Sequence, residues 1–181
     1  MKYITVFTGP MKCGKTSRLI EEYNKLRYSN KTIQMFKPTI DTRFEKDFVK
    51  DRNNNEVSCI NINSIKDLLF YKDKVDIFFI DEFQFLCGDI KDLLYLQSLG
   101  KVFYISGLNL TAERKPFGLM DSLLCIADNV IHLEAICNDC KELDAKYSYC
   151  TVKKFGDILV GDEQYIPVCP SCYNKRVEGD E

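Results

Sequence analysis

The stretch TGPMKCGKTS, Thr8 to Ser17, follows directly on the apolar run YITVF, Tyr3 to Phe7. From Gly9 to Thr16 it fits the pattern G-x-x-x-x-G-K-[ST], and the β-branched, aromatic run before it reads as a buried strand. After Thr16, Leu19, Ile20, Tyr23 and Leu26 fall on one side of a 3.6-residue period, with Arg18, Glu21, Glu22 and Lys25 mainly on the other. Strand, glycine loop and amphipathic helix, in that order, form the context the motif demands. The competing reading is an ordinary tight turn that happens to carry Lys15 and Thr16.

Such a loop has a definite chemistry. Glycines let successive backbone N–H groups turn inward around phosphate oxygens, and the helix N-terminus adds partial positive charge. Gly9, Pro10, Met11, Lys12, Cys13, Gly14, Lys15 and Thr16 are therefore the candidate nucleotide cradle. Lys15 would neutralise the outer phosphates of ATP, and Thr16 would ligate magnesium.

The alternation continues outward. KTIQMFKP reads as a strand, Ser64 with Asp67 as a capping box opening a short helix, and VDIFFIDE as a strand apolar enough to be central. Asp89 can cap IKDLLYLQSL, Gly100 can close it, and KVFYISGL is a further strand. Strands alternating with helices through about residue 110 predict an α/β fold, a mostly parallel sheet flanked by helices as in P-loop NTPases. The apolar strand ends in Asp81 and Glu82, where a phosphate-loop protein needs a carboxylate for its magnesium shell. Asp81 is the candidate for that role. Glu82, able to turn into the same cleft, is the candidate general base for a substrate hydroxyl; the alternative is a solvated acid at a strand end.

From about Ile131 helical periodicity fades, and cysteine pairs bracket two short β-like runs, AKYSYCTV and DILVG. The expected organisation is an ATP-binding domain over residues 1–130, a zinc-binding lobe over 131–173 and a frayed, flexible tail over 174–181. Cys137-x-x-Cys140 and Cys169-x-x-Cys172 suit a tetrahedral structural zinc held by four thiolates, with a redox dithiol or unrelated core cysteines as the other readings. Cys59, Cys87, Cys125 and Cys150 read as small hydrophobes, whereas Cys13 lies inside the phosphate loop. His132, the single histidine, is assigned no chemistry.

Composition bounds the partners. The chain has 181 residues, 29% of them charged, with a net charge of −2, which argues against a general nucleic-acid binder. Nine cysteines is an odd count, and the N-terminal apolar run is too short for a membrane span. A cytoplasmic protein with no membrane partner is the expectation.

The phosphate loop together with IDTRF, IDEFQF, GLNLTAERKPFG, the two cysteine knuckles and VGDEQYIPVC resembles the type II thymidine kinases, in the same order and over nearly the whole chain. The resemblance implies transfer of the γ-phosphoryl group of ATP to the 5′-hydroxyl of thymidine, with deoxyuridine as a further candidate acceptor. It makes Glu82 the catalytic base, and Asp81, Phe83 and Gln84 part of the magnesium and nucleotide-binding stretch. Asp41, Thr42 and Arg43 would stand beside the triphosphate, where a guanidinium can stabilise charge on the transferring group. Met11, Phe85, Leu108, Ala112 and Phe117 would line the base pocket. Tyr165 and the stretch Ile158, Leu159, Val160 and Gly161 would form a lasso over the nucleoside, and Ser148 could bond the base. The family also implies a homotetramer and feedback inhibition by dTTP. Departures from its pattern include Lys12 and Cys13 in the loop, Ala112 where many relatives carry phenylalanine, Asn109 and Leu110 in place of Asp-Gly, Lys50 where a histidine often sits, and Val160 for a glycine. A nucleotide-binding module without catalysis, a kinase of altered nucleoside specificity, and a nucleic-acid-directed ATPase are the alternative readings.

Overall fold

A computed structural model describes residues 3–41, 47–142, 144–152 and 163–179. Strand β1 (Ile4–Thr8) leads through the glycine loop into helix α1 (Lys15–Leu26), as the alternation of buried and exposed positions predicts. Strands β2 (Ile33–Pro38), β3 (Phe48–Lys50) and β4 (Glu56–Ile62) follow, then a 3₁₀ segment over Ile65–Tyr71, β5 (Ile77–Ile80), α2 (Ile90–Ser98) and β6 (Val102–Gly107). Helix α3 (Met120–Ile126) and β7 (Asn129–His132) complete the large unit. Among the described residues, seven strands form one sheet in the order β3-β4-β2-β5-β6-β1-β7, parallel except for the β3–β4 hairpin.

Local signals set the element ends. Ser64 and Asp67 form the reciprocal capping box expected of them, although the segment they open winds as a 3₁₀ helix. Asp89 accepts from the Lys91 N–H at the start of α2. The β3–β4 hairpin was not visible to pattern reading, because β4 is only partly buried and its EVSCINI alternates weakly. Its turn is built by Asp51, whose carboxylate accepts from the backbone of Asn53 and Asn55.

The central strands are buried on both faces. Phe78 and Ile80 of β5 point into a core with Val6, Phe103 and Ile105, covered by Leu93 and Leu96 of α2 and by Met120 and Leu123 of α3. Ile77 and Phe79 point the other way, against Leu19 and Ile20 of α1. Phe36, Phe78 and Phe103 stack across three neighbouring strands at centroid separations of 5.6 and 5.3 Å, which locks the lateral order of β2, β5 and β6. The carboxyl ends of β1, β5 and β6 therefore share one edge of the sheet, where ligands of open α/β folds bind.

Beyond β7, strands β8 (Tyr147–Cys150) and β9 (Tyr165–Val168) form an antiparallel pair, and helix α4 (Pro170–Gly179) follows. The residues expected as a frayed tail from Asn174 continue that helix to Gly179. The reason is a two-pronged ion pair: Arg176 Nε and an Nη donate to the two Asp139 oxygens at 2.7 Å each. Among the described residues, no helix is long and apolar enough to cross a membrane.

Candidate active site

The phosphate loop is shaped by backbone conformations that few residues tolerate. Gly9 has φ +145°, and a Cβ there would lie 2.1 Å from the Leu133 carbonyl oxygen, so the loop is pressed against the chain leaving β7. Lys12 (φ +64°) and Gly14 (φ +86°) also take left-handed geometry. Gly14 precedes α1 and gives its first turn no side-chain cap, which leaves the helix N-terminus suited to an anion. Lys15 is buried, and its ammonium donates to the carbonyls of Gly9 (3.3 Å) and Pro10 (2.6 Å), placing a full positive charge within the loop.

The end of β5 meets the start of α1. Thr16 Oγ1 lies 3.2 and 3.3 Å from the two Asp81 carboxylate oxygens, and Ser106 Oγ of β6 donates to the same carboxylate. This all-oxygen set, two hydroxyls and one carboxylate beside the phosphate loop, fits a hard divalent cation such as magnesium. Glu82 comes next, buried and in left-handed conformation at φ +52°. For a residue with a Cβ that geometry costs about 1–2 kcal/mol, so the surrounding packing must enforce it. Gln84 holds the Glu82 carboxylate in place. Its Nε2 donates to Glu82 Oε2, and its Oε1 accepts from the Leu108 N–H at 3.0 Å, fastening the carboxylate to the chain that leaves β6. Asp41, just after β2, is buried as well.

Of the residues expected around a nucleoside base, Phe85 and Phe117 meet edge to face at 5.4 Å. The Leu108 N–H donates to Gln84 Oε1 at 3.0 Å. Ser148 of β8 accepts from the Met11 N–H at 2.9 Å, a buried bond that joins the phosphate loop to the small lobe. Tyr165 is buried at the start of β9, opposite Cys150. The Ala112 carbonyl accepts from the Tyr173 hydroxyl at 2.7 Å. Thr42, Arg43, Ile158, Leu159, Val160 and Gly161 lie outside the described residues.

Three participants escaped pattern reading. Ser106 could have been flagged as a polar residue in the otherwise apolar run VFYIS. Tyr173 and Arg114 carry no local signal; only the fold brings them together.

The four knuckle cysteines converge, with their Sγ atoms all within 4.8 Å of one another and 3.9 Å between Cys140 and Cys169. Four thiolates at zinc–sulfur bonds of about 2.3 Å stand about 3.8 Å apart, so the donor set fits a closed, structural zinc site. Burial pushes the Cys137 thiol up, but N–H groups of Cys169, Cys140 and Asp139 pull it down to about 6, favouring the thiolate that a metal needs. Sulfur contact with Cys169, aided by burial, pushes Cys172 up to about 12. Cys13 of the phosphate loop packs against the core of this lobe beside Ala135, Cys137 and Val168.

The family model described as thymidine kinase matches residues 2–173 of the chain. A thymidine kinase of Bacteroides fragilis (strain YCH46) is 35% identical over 179 residues, spanning 98% of this chain and 89% of that one. One from Pseudothermotoga lettingae is 34% identical over 175 residues, 95% of each chain. One from Mycoplasma mobile is 35% identical over 182 residues, 98% and 88% of the two chains. Among solved structures, the Legionella pneumophila ATPase DotB is similar at a TM-score of 0.44 and 15% identity, covering 78% of this chain and 43% of that one.

Proposed function

The chain belongs to the thymidine kinase family, and from that premise we propose that it transfers the γ-phosphoryl group of magnesium-bound ATP to the 5′-hydroxyl of thymidine, giving dTMP and ADP for nucleotide salvage. Glu82 accepts the proton of the 5′-hydroxyl as that oxygen bonds to the γ-phosphorus. The bond from the γ-phosphorus to its bridging oxygen breaks, and ADP departs with the electron pair. Lys15 and backbone N–H groups of residues 12–16 in the 9–16 loop hold the phosphates, while Arg43 stabilises charge on the equatorial oxygens. Thr16 and Asp81 are the residues that would hold magnesium or its water shell, and the ion would supply positive charge against the phosphates.

The observation that carries this reading is the 3.2 Å contact of Thr16 with Asp81, next to a buried, left-handed Glu82 whose carboxylate accepts from Gln84. A metal-holding carboxylate and a proton acceptor on consecutive residues, facing a phosphate loop, suit phosphoryl transfer to an alcohol. On the acceptor side, residues 131–173 contribute the zinc-stapled lobe, with Met11, Phe85, Leu108, Ala112, Phe117, Ser148, Tyr165 and the 158–161 lasso around the nucleoside, and residues 1–130 hold the donor. The same reading includes a structural zinc on Cys137, Cys140, Cys169 and Cys172, a cytoplasmic homotetramer, and feedback inhibition by dTTP.

The test is ATP-dependent conversion of thymidine to its monophosphate by zinc-replete protein, with deoxyuridine, deoxycytidine and deoxyguanosine alongside. Glu82→Gln should lower kcat by about 10²–10⁴-fold while ATP binding and melting temperature stay put. Undiminished turnover in that variant removes Glu82 as the base. Absence of product from every nucleoside, with ATP binding intact in the parent protein, overturns the kinase reading.

A further inference from the structure

The segment that leaves β6 is a finger with two tethers. At its base, Leu108 N–H donates to Gln84, the residue that also holds Glu82, and Phe117 N–H returns to the Asn109 carbonyl. Its tip is a turn in which Thr111 N–H donates to the Lys115 carbonyl, Arg114 N–H donates to the Thr111 carbonyl and Arg114 takes φ +60°. That tip is gripped from the zinc lobe. The Tyr173 hydroxyl donates to the Ala112 carbonyl at 2.7 Å, and the Arg114 guanidinium lies 4.8 Å from the Tyr173 ring centre and 5.4 Å from that of Tyr147.

The grip is well supported from behind. Tyr173 is 6% exposed, packs edge to face on Tyr147 and Tyr149, and directly follows the knuckle cysteine Cys172. Its position is therefore set by the same residues that would hold the zinc. Ala112 is small, so the finger has no side chain of its own at that point to anchor it. Backbone carbonyl and cation–π contacts do the anchoring instead.

We propose that Tyr173 is a positioning residue for the acceptor pocket: through the Ala112 carbonyl, and with Arg114 clasped between Tyr147 and Tyr173, it transmits the order of the zinc lobe to the 108–117 finger. The inference rests on the thymidine kinase reading for its kinetic consequence, since Leu108, Ala112 and Phe117 line the acceptor side in that reading. Its structural content, that the hydroxyl orders the finger, does not depend on the substrate.

Tyr173→Phe keeps the ring and deletes the hydroxyl, and Arg114→Gln removes the cation from an exposed turn. In Tyr173→Phe the thymidine KM should rise about three- to tenfold, with the ATP KM and kcat within about twofold of the parent, because one neutral hydrogen bond at the acceptor loop is lost. Arg114→Gln should move the thymidine KM in the same direction, and it keeps the test open if the tyrosine variant folds poorly. Amide hydrogen exchange over residues 109–117 should quicken in both variants, while β5 and the phosphate loop exchange as before. Unchanged exchange in the finger overturns the tether, whatever the nucleoside assays give. Faster exchange with thymidine KM and ATP KM rising equally overturns the acceptor-specific role. A parent protein inactive on every nucleoside refutes the kinase reading alone, and the exchange data still decide the tether.

Discussion

Replacing Gly9 by alanine separates two contributions that the phosphate loop otherwise combines. Both Gly9 and Gly14 have positive φ, +145° and +86°, so an alanine meets a backbone penalty at either position, about 1–2 kcal/mol at Gly14 and about 1–3 kcal/mol at Gly9, which lies further from the left-handed helical region. Only Gly9 meets a wall. Its added Cβ would lie 2.1 Å from the Leu133 carbonyl oxygen, more than an ångström short of ordinary contact, whereas around Gly14 there is nothing within 4 Å. Leu133 cannot easily retreat, because its N–H donates to the Thr8 carbonyl at 2.7 Å, continuing the β1–β7 ladder. Overpacking of this kind costs about 1–3 kcal/mol more. For a chain of this length each kcal/mol moves the melting temperature by about 2–4 °C. Gly9→Ala should therefore melt roughly 4–8 °C below Gly14→Ala, taking about 2 kcal/mol as the steric excess. The assay is a pair of circular-dichroism melts on zinc-replete proteins under identical conditions. Equal melting temperatures, or a lower one for Gly14→Ala, would refute the claim that the loop is braced against the chain after β7.

Further outcomes follow from the small lobe. Ser148→Ala strips the buried Met11 N–H of its acceptor and should lower urea-unfolding stability by about 1–3 kcal/mol, with Ser148→Thr restoring most of it. Cys169→Ser should abolish stoichiometric metal in elemental analysis and strip hydrogen-exchange protection from β8 and β9 while leaving β5 and β6 protected; retained metal would show that the four sulfurs do not act together. The Arg176 side chain, beside and bonded to Asp139, holds the Asp139 carboxyl below its ordinary value, against the opposing effect of burial. A lowered folded pKa contributes stability that is fully present above the unfolded value of about 3.9 and is lost as pH falls through the folded one. The melting-temperature gap between the parent and Asp139→Asn should thus be constant near neutrality, close below about pH 4, and shrink with added salt, since the pair is partly exposed. A gap unchanged into strong acid would refute that assignment.

The parts legible in the chain are those written by neighbours. Glycine spacing between an apolar strand and an amphipathic helix identified the phosphate loop. Ser64 and Asp67 announced a capped turn, and VDIFFIDE announced a central strand ending in acids, because backbone hydrogen bonding and side-chain periodicity act over a few residues. The knuckle cysteines were legible because metal geometry restricts their local spacing. The order of strands, the β3–β4 hairpin and the helical continuation past Asn174 were not, since each depends on partners distant in the chain: the stacked Phe36, Phe78 and Phe103, the Asp51 turn, and Asp139 for Arg176. The same holds for the connections between the two lobes. Met11 and Ser148 are 137 residues apart and Ala112 and Tyr173 are 61 apart, so no periodicity or spacing links them. Local residue order supplies the available chemistry, a phosphate loop, two acids and four thiols. Which backbone groups those side chains hold is settled by packing, because a hydrogen bond between distant residues exists only once the chain between them has folded.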